Sequence, residues 1–243
     1  MNQNEIKALF DQQAAGYDTQ WAKTQPIRSC LHLLLDAAFA ALPVDARILC
    51  VGVGTGAELA HLAHQHPGWR FTAVEPSGAM LQVCRDLAQR QGFAQRCVLH
   101  EGYLDTLAPA TAAPGQGDGF DAATCFLVSQ FMVDPTVRSG FFRQIGQRLR
   151  PGGILASTDL ASDMRSPEYE VLLRAWMHMM AAADASYEAM ERMRKAYASD
   201  VAVLPPGRVA AIIQAGGFDA PVPFFQAGLI HGWLSRWSGS VAD

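Results

Sequence analysis

Residues 48–59, ILCVGVGTGAEL, constrain this chain more than any other stretch. An apolar run ends in three glycines at alternate positions, Gly52, Gly54 and Gly56, and a segment with helical spacing follows. A strand that passes through glycines into a helix leaves a turn without Cβ atoms, and it leaves the first amides of the helix without partners. Such a junction admits a ligand close to the backbone and favours a nucleotide-like one. As GVGTGA it also satisfies the pattern G-x-G-x-x-G/A, with Glu75 ending the next strand at about the distance expected of a ribose-binding acid. The motif alone therefore does not choose among nucleotide cofactors.

The segments around it alternate. Residues 24–42 read as an amphipathic helix ending at Pro43, RILCVG as a strand, and GAELAHLAHQH as a helix stopped by Pro67-Gly68. RFTAVE then predicts a strand, SGAMLQVCRDLAQRQ a helix capped by Ser77 and stopped at Gly92, and RCVLHEG a third strand. APATAAPGQGDG reads as a loop. FDAATCFLV is a strand, VRSGFFRQIGQRLR a helix and, after a turn at Pro151-Gly152, GGILASTDL a fifth strand. Strands alternating with helices imply an α/β fold whose parallel sheet is covered on both faces and takes ligands at its carboxyl edge.

Beyond that edge the alternation stops. Residues 167–199 are helical throughout, with YEVLLRAWMHMMAAA and YEAMERMRKAYA separated by Asp184 to Ser186. They read as a substrate lid, although two packed helices with no role in binding look much the same. On the lid, Trp176, Met177, Met179, Met180, Tyr187 and Tyr197 suit either an apolar substrate pocket or the seam between two helices. GRVAAIIQAGGF predicts a last helix and PVPFFQAGLIHGWLSRW a closing pair of strands. The expectation is one domain: cap helices over 1–45, a binding core over 46–160, a helical lid over 161–205, and a last helix with closing strands over 206–243.

Composition narrows the partners. A formal charge of −4 without a basic tract argues against nucleic acid and an anionic membrane surface, and favours a small-molecule substrate. The first residues lack a basic region followed by an apolar one, and apolar runs such as LHLLLDAAFAAL stop short of a membrane span, so a soluble chain without a signal peptide is expected. Five cysteines, odd in number and never spaced Cys-x-x-Cys, suit small buried side chains in a reducing cytoplasm rather than disulfides or zinc. His61 and His64 share a helix face with His66 nearby, but no third ligand is placed, so no metal is expected.

In order and at their intervals, VGVGTGAEL, FTAVEPSGAML, FDAATCFLVSQFM and LRPGGIL resemble the S-adenosylmethionine-dependent methyltransferases of class I, over about residues 46–160. FDQQAAGYD, residues 10–18, resembles the segment that small-molecule members fold over the cofactor. The resemblance implies a Rossmann-like, mostly parallel seven-stranded sheet and S-adenosyl-L-methionine as cofactor, with S-adenosyl-L-homocysteine as product. It implies that Gly52, Val53, Gly54 and Thr55 line the amino-acid and ribose side and that Glu75 takes both ribose hydroxyls. Pro76 and Met80 would flank the adenine, Gly102, Tyr103 and Leu104 its edge, Phe126 the floor under the methyl donor, and Tyr17 would close over the cofactor. Gln130 stands where many relatives carry a histidine.

Two positions depart from the family's pattern. Tyr103 holds an acid's usual place, and Cys50 stands two residues before the first glycine, where an acid is common. A backbone carbonyl or Glu58 are substitutes for holding the cofactor's ammonium. Glu58 also reads simply as a first-turn helix acid favoured by the helix dipole, outside the expected site. No general base stands out: His178 on the first lid helix, His231 in the tail and Asp159 at the end of the fifth strand are the candidates. A layout resemblance to carboxy-S-adenosylmethionine synthase, with Arg192, Arg194 and Lys195 available for a carboxylate, stays open. So do a nicotinamide dehydrogenase and a subunit that binds cofactor without catalysis.

Overall fold

The computed structural model describes residues 2–108, 119–180 and 187–239. Most of the predicted loop APATAAPGQGDG and the break at Asp184 to Ser186 lie outside the described residues. The helices are α1 (Gln3–Gln13), α2 (Tyr17–Gln20), α3 (Gln25–Phe39), α4 (Ala57–Gln65), α5 (Gly78–Arg90), α6 (Pro135–Gly146), α7 (Pro167–Met180), α8 (Tyr187–Ser199) and α9 (Pro206–Ala215). The strands are β1 (Arg47–Val51), β2 (Arg70–Glu75), β3 (Cys97–Glu101), β4 (Phe120–Phe126), β5 (Leu149–Leu160), β6 (Val222–Ala227) and β7 (Ile230–Arg236). Among the described residues no helix is long and apolar enough to cross a membrane.

The seven strands form one sheet in the order β3-β2-β1-β4-β5-β7-β6. The first five are parallel; β7 runs antiparallel to β5, and β6 at the edge antiparallel to β7. β1 lies at the centre and is buried from Ile48 to Val51, as a strand covered on both faces must be. On one face α3, α4 and α5 bring Leu35, Phe39, Leu62 and Leu81, joined by Phe93 just after α5, against Ile48 and Phe71. On the other, α6 and α9 bring Phe142, Ile145, Val209 and Ile213 against Leu49, Val51 and Trp233.

Local chemistry sets the boundaries. Ser77 caps α5 by accepting from the Met80 amide at 3.1 Å. Asp134 caps α6, accepting from the Thr136 and Val137 amides ahead of a first-turn proline. Asn2 and Glu5 form a reciprocal box at the start of α1. The turn expected at Pro151-Gly152 is present but enclosed within β5: Leu149 pairs with Phe120 and Ile154 with Ala122, so the intervening residues bulge out, with Gly152 at φ +77°.

A third apolar cluster sits above the carboxyl edge. Trp176, Leu173 and Met177 of α7 pack there with Leu31, Phe225, Leu229 and Ile230. The lid expected at 161–205 is not seen over the cavities at that edge. No described residue of α7 or α8 lines either cavity at that edge, because the apolar side of α7 is consumed by this cluster. Trp176 donates through Nε1 to the Tyr197 hydroxyl at 2.7 Å, so these two aromatics form a helix seam. The side chains of Met180 and Tyr187 lie outside the described residues. The N-terminal segment α1–α3 covers the crevice instead.

Candidate functional site

Each of the three glycines has a positive φ, +67° at Gly52, +55° at Gly54 and +89° at Gly56, but they serve different neighbours. A Cβ on Gly52 would lie 2.3 Å from Val128, and one on Gly56 would lie 2.6 Å from the Cys84 sulfur. Two of the three glycines therefore make room for the protein itself. Only Gly54 faces open space, with nothing within 4 Å of an added Cβ, and it lines both cavities. That bare backbone is the cradle a ligand would use.

Glu75 ends β2 beside it. Its Oε2 accepts from the Gly54 amide at 3.0 Å and its Oε1 from the Ser77 amide at 2.9 Å, which fixes the glycine turn and the start of α5 to one carboxylate. Burial pushes the Glu75 pKa above its ordinary value and the two amides oppose that rise. Each carboxylate oxygen retains an unused acceptor direction, so the group can still take hydroxyls from a ligand.

Two cavities meet here. One, of about 200 Å³, runs past Glu75, Pro76, Met80, Gly102, Tyr103 and Leu104, with Phe126 and Val128 beneath it. The other, of about 160 Å³, holds Val53, Thr55, Glu58, Arg28 and His32 beneath the apolar Trp21, Leu31 and Phe225. Tyr17, Gly52, Gly54, Phe126 and Leu127 belong to both, so these are the two arms of one crevice. The Tyr17 hydroxyl is pushed up to about 12, first by burial and then by the nearby Glu75, Asp18 and Glu58 carboxylates, and it remains a neutral donor.

Two aspartates of the roof tie it to helix starts. Asp11 accepts from the Ser77 hydroxyl at 2.6 Å and the Ala79 amide at 3.3 Å, at the N-terminus of α5. Asp18 accepts from the Thr55 hydroxyl at 2.9 Å, at the N-terminus of α4. A carboxylate at the positive end of a helix dipole is favoured. Next to the first tie Phe10 packs edge-on against Phe131, with ring centroids 5.6 Å apart.

Residues 49–155 match the methyltransferase domain family. Over that stretch, a little under half of its length, the chain is similar to this family. An uncharacterized protein of Synechococcus sp. is 35% identical over 109 residues, covering 45% of this chain and 24% of that protein. The ubiquinone biosynthesis O-methyltransferase of Methylocella silvestris is 29% identical over 136 residues, covering 55% of this chain and 48% of that enzyme. The chain thus spans less than half the length of either relative. The solved structure of a mitomycin 7-O-methyltransferase superposes with a TM-score of 0.60 at 18% identity, over 86% of this chain and 54% of that one, which shows a shared fold.

The crevice brings together Tyr17, Gly52, Val53, Gly54, Thr55, Glu75, Pro76, Met80, Gly102, Tyr103, Leu104 and Phe126. Tyr103 spends its hydroxyl on the Gln3 carbonyl at 3.1 Å, which ties it to the roof. Gln130 is placed elsewhere: it is buried, its Oε1 accepts from the Leu160 amide at 2.7 Å, and it lines neither cavity.

None of the three candidate bases lines the crevice. His178 is on the exposed side of α7, and His231 lies on β7 against Trp233, its pKa lowered by burial. Asp159 is fully buried in an ion pair with Arg138 at 3.1 Å and accepts from the Ser129 hydroxyl and the Gln130 amide. Its work is to hold the loop after β4, where Leu127 adopts φ +58°, a strained conformation for a residue with a branched side chain. Arg138 also donates to Ser129 and to the Ala202 carbonyl, so the pair fastens β5, the loop, α6 and the segment after α8.

His61 lies 2.6 Å from Asp36, and among the described residues no cluster suits a metal. Arg194 is engaged by Glu170 at 2.6 and 2.7 Å, and Arg192, Arg194 and Lys195 line neither cavity. Sequence reasoning missed Arg28 and His32, which α3 brings to the crevice from outside every motif, and set Glu58 aside. Burial pushes the Glu58 carboxyl up to about 7 and lowers the His32 imidazole to about 4.

Proposed function

We propose that the chain is an S-adenosylmethionine-dependent methyltransferase acting on a small, largely apolar acceptor. The observation that carries this reading is the Glu75 carboxylate, buried at the end of β2 beside the open backbone of Gly54. Glu75 would hold the ribose, Pro76 and Met80 the adenine faces, and the arm lined by Val53 and Thr55 the amino-acid tail. When bound, the cofactor supplies a methyl group on a sulfonium, ready for in-line displacement. The protein contributes alignment and exclusion of water, which supply much of the rate for a reaction that needs no covalent intermediate.

The acceptor reading rests on Trp21, Ile27, Leu31, Phe225 and Ile230, which wall the second arm and would desolvate an entering nucleophile. All five thiols are free, which supports a reducing, cytoplasmic setting. Transfer of a labelled methyl group to a panel of phenols, amines and thiols tests the activity. Cofactor binding by calorimetry with no transfer to any of them would leave a binding subunit as the better description.

A further inference from the structure

The second arm of the crevice contains two opposite charges that are not joined to each other. Arg28, half-buried on α3, forms no hydrogen bond or salt bridge among the described residues, although it lines the cavity. Glu58, in the first turn of α4, is 9% exposed and lines the same cavity. Arg28 acts on Glu58 through the field alone. A buried carboxylate and an unspent guanidinium bordering one cavity are costly unless something with both signs sits between them.

The neighbouring groups supply no better partner. Cys50 is fully buried and lines neither cavity, and its thiol is held neutral by burial. Asp18 is spent on Thr55 and lies outside the cavity lining. His32 is neutral at physiological pH, and Tyr17 keeps its proton. The cavity also adjoins Gly52 and Gly54, so whatever fills it is continuous with a nucleoside lying along the other arm.

We propose that Glu58 and Arg28 form a two-point clamp for an α-amino-acid zwitterion, Glu58 receiving the ammonium and Arg28 the carboxylate of the cofactor's amino-acid tail. The inference rests on the cofactor reading above, and it gives the ammonium a partner on α4. The zwitterion cancels both charges at once, and a planar guanidinium suits a carboxylate.

Calorimetric titration of the full chain with three nucleosides tests it: S-adenosylhomocysteine, its decarboxylated amine analogue, and methylthioadenosine, which has no amino-acid tail. Glu58→Gln is expected to weaken S-adenosylhomocysteine and the amine about 10- to 100-fold and to leave methylthioadenosine unchanged. Arg28→Gln should weaken S-adenosylhomocysteine by a similar factor and spare the other two. Unchanged methylthioadenosine affinity also shows that each variant is folded. The clamp is overturned if Glu58→Gln leaves S-adenosylhomocysteine binding intact, or if both variants weaken all three ligands alike. Failure of the unsubstituted protein to bind any of the three would instead remove the cofactor reading, and the clamp with it.

Discussion

Replacing Glu58 by glutamine should stabilise the ligand-free protein, and should do so only above a definite pH. The Glu58 carboxyl stands at about 7 in the folded chain against an ordinary 4.5. At about 1.4 kcal/mol per pH unit, ionising it in place costs about 3 kcal/mol more than ionising it in the unfolded chain. Between pH 4.5 and 7 the folded protein keeps a proton that the unfolded chain has released, so this group's contribution to stability falls as pH rises through that window. Below the window both states are protonated and the penalty vanishes; above it the penalty is complete.

Glutamine has no such titration. The stability difference between Glu58→Gln and the unsubstituted chain is therefore expected to be near zero at pH 4.5 and to reach about 3 kcal/mol in favour of the variant at pH 8. Glu75, also raised by burial, remains in both proteins, and its repulsion of Glu58 is part of the difference measured. Urea denaturation followed by circular dichroism at several pH values measures the difference directly. Saturating S-adenosylhomocysteine should shrink the gap, because a bound ammonium offsets the buried charge. A difference that does not change between pH 4.5 and 8, or one that opens in the opposite direction, would refute the assignment of Glu58 as a desolvated acid.

Glu75→Gln should lower nucleoside affinity roughly 10- to 100-fold by removing the charge from the hydrogen bonds to ribose, and undiminished affinity in a calorimeter would place the sugar elsewhere. Arg138→Met strands Asp159 without its partner and should cost about 3 to 5 kcal/mol in urea denaturation, with Asp159→Asn in the same chain recovering a large part; a loss under 1 kcal/mol would mean the pair does not hold the loop after β4. The glycines should separate by role. Gly56→Ala meets the Cys84 sulfur and should lower Tm sharply, whereas Gly54→Ala meets only its backbone preference and should mainly weaken nucleoside binding; equal effects on both measurements would erase the distinction.

Much of this architecture was legible because its signals are local. The alternation from RILCVG to GGILASTDL, the caps at Ser77 and Gly92 and the strand-end position of Glu75 depend on neighbours close in sequence, and β1 to β5 lie where those signals put them. What escaped depends on contacts between distant segments. Arg28 and His32 sit on a helix with no motif, and only the packing of α3 over the carboxyl edge makes them part of the crevice. Asp159 ends a strand at the proper edge, yet Arg138 on α6 claims it. Gln130 likewise turns inward to the Leu160 amide. The helices over 167–199 carried an apolar stripe that fits a lid or a core seam equally, and the stripe could not say that Leu31, Phe225 and Ile230 would be there to bury it.

The segment from Phe10 to Asp18 is attached near its two ends by aspartates, Asp11 to the Ser77 hydroxyl and the Ala79 amide and Asp18 to the Thr55 hydroxyl. Such knots loosen far more often than a buried sheet does. If the crevice takes a nucleoside as proposed, its exchange would proceed by unfastening this short strap, with a dwell time set by those few hydrogen bonds rather than by the stability of the molecule beneath.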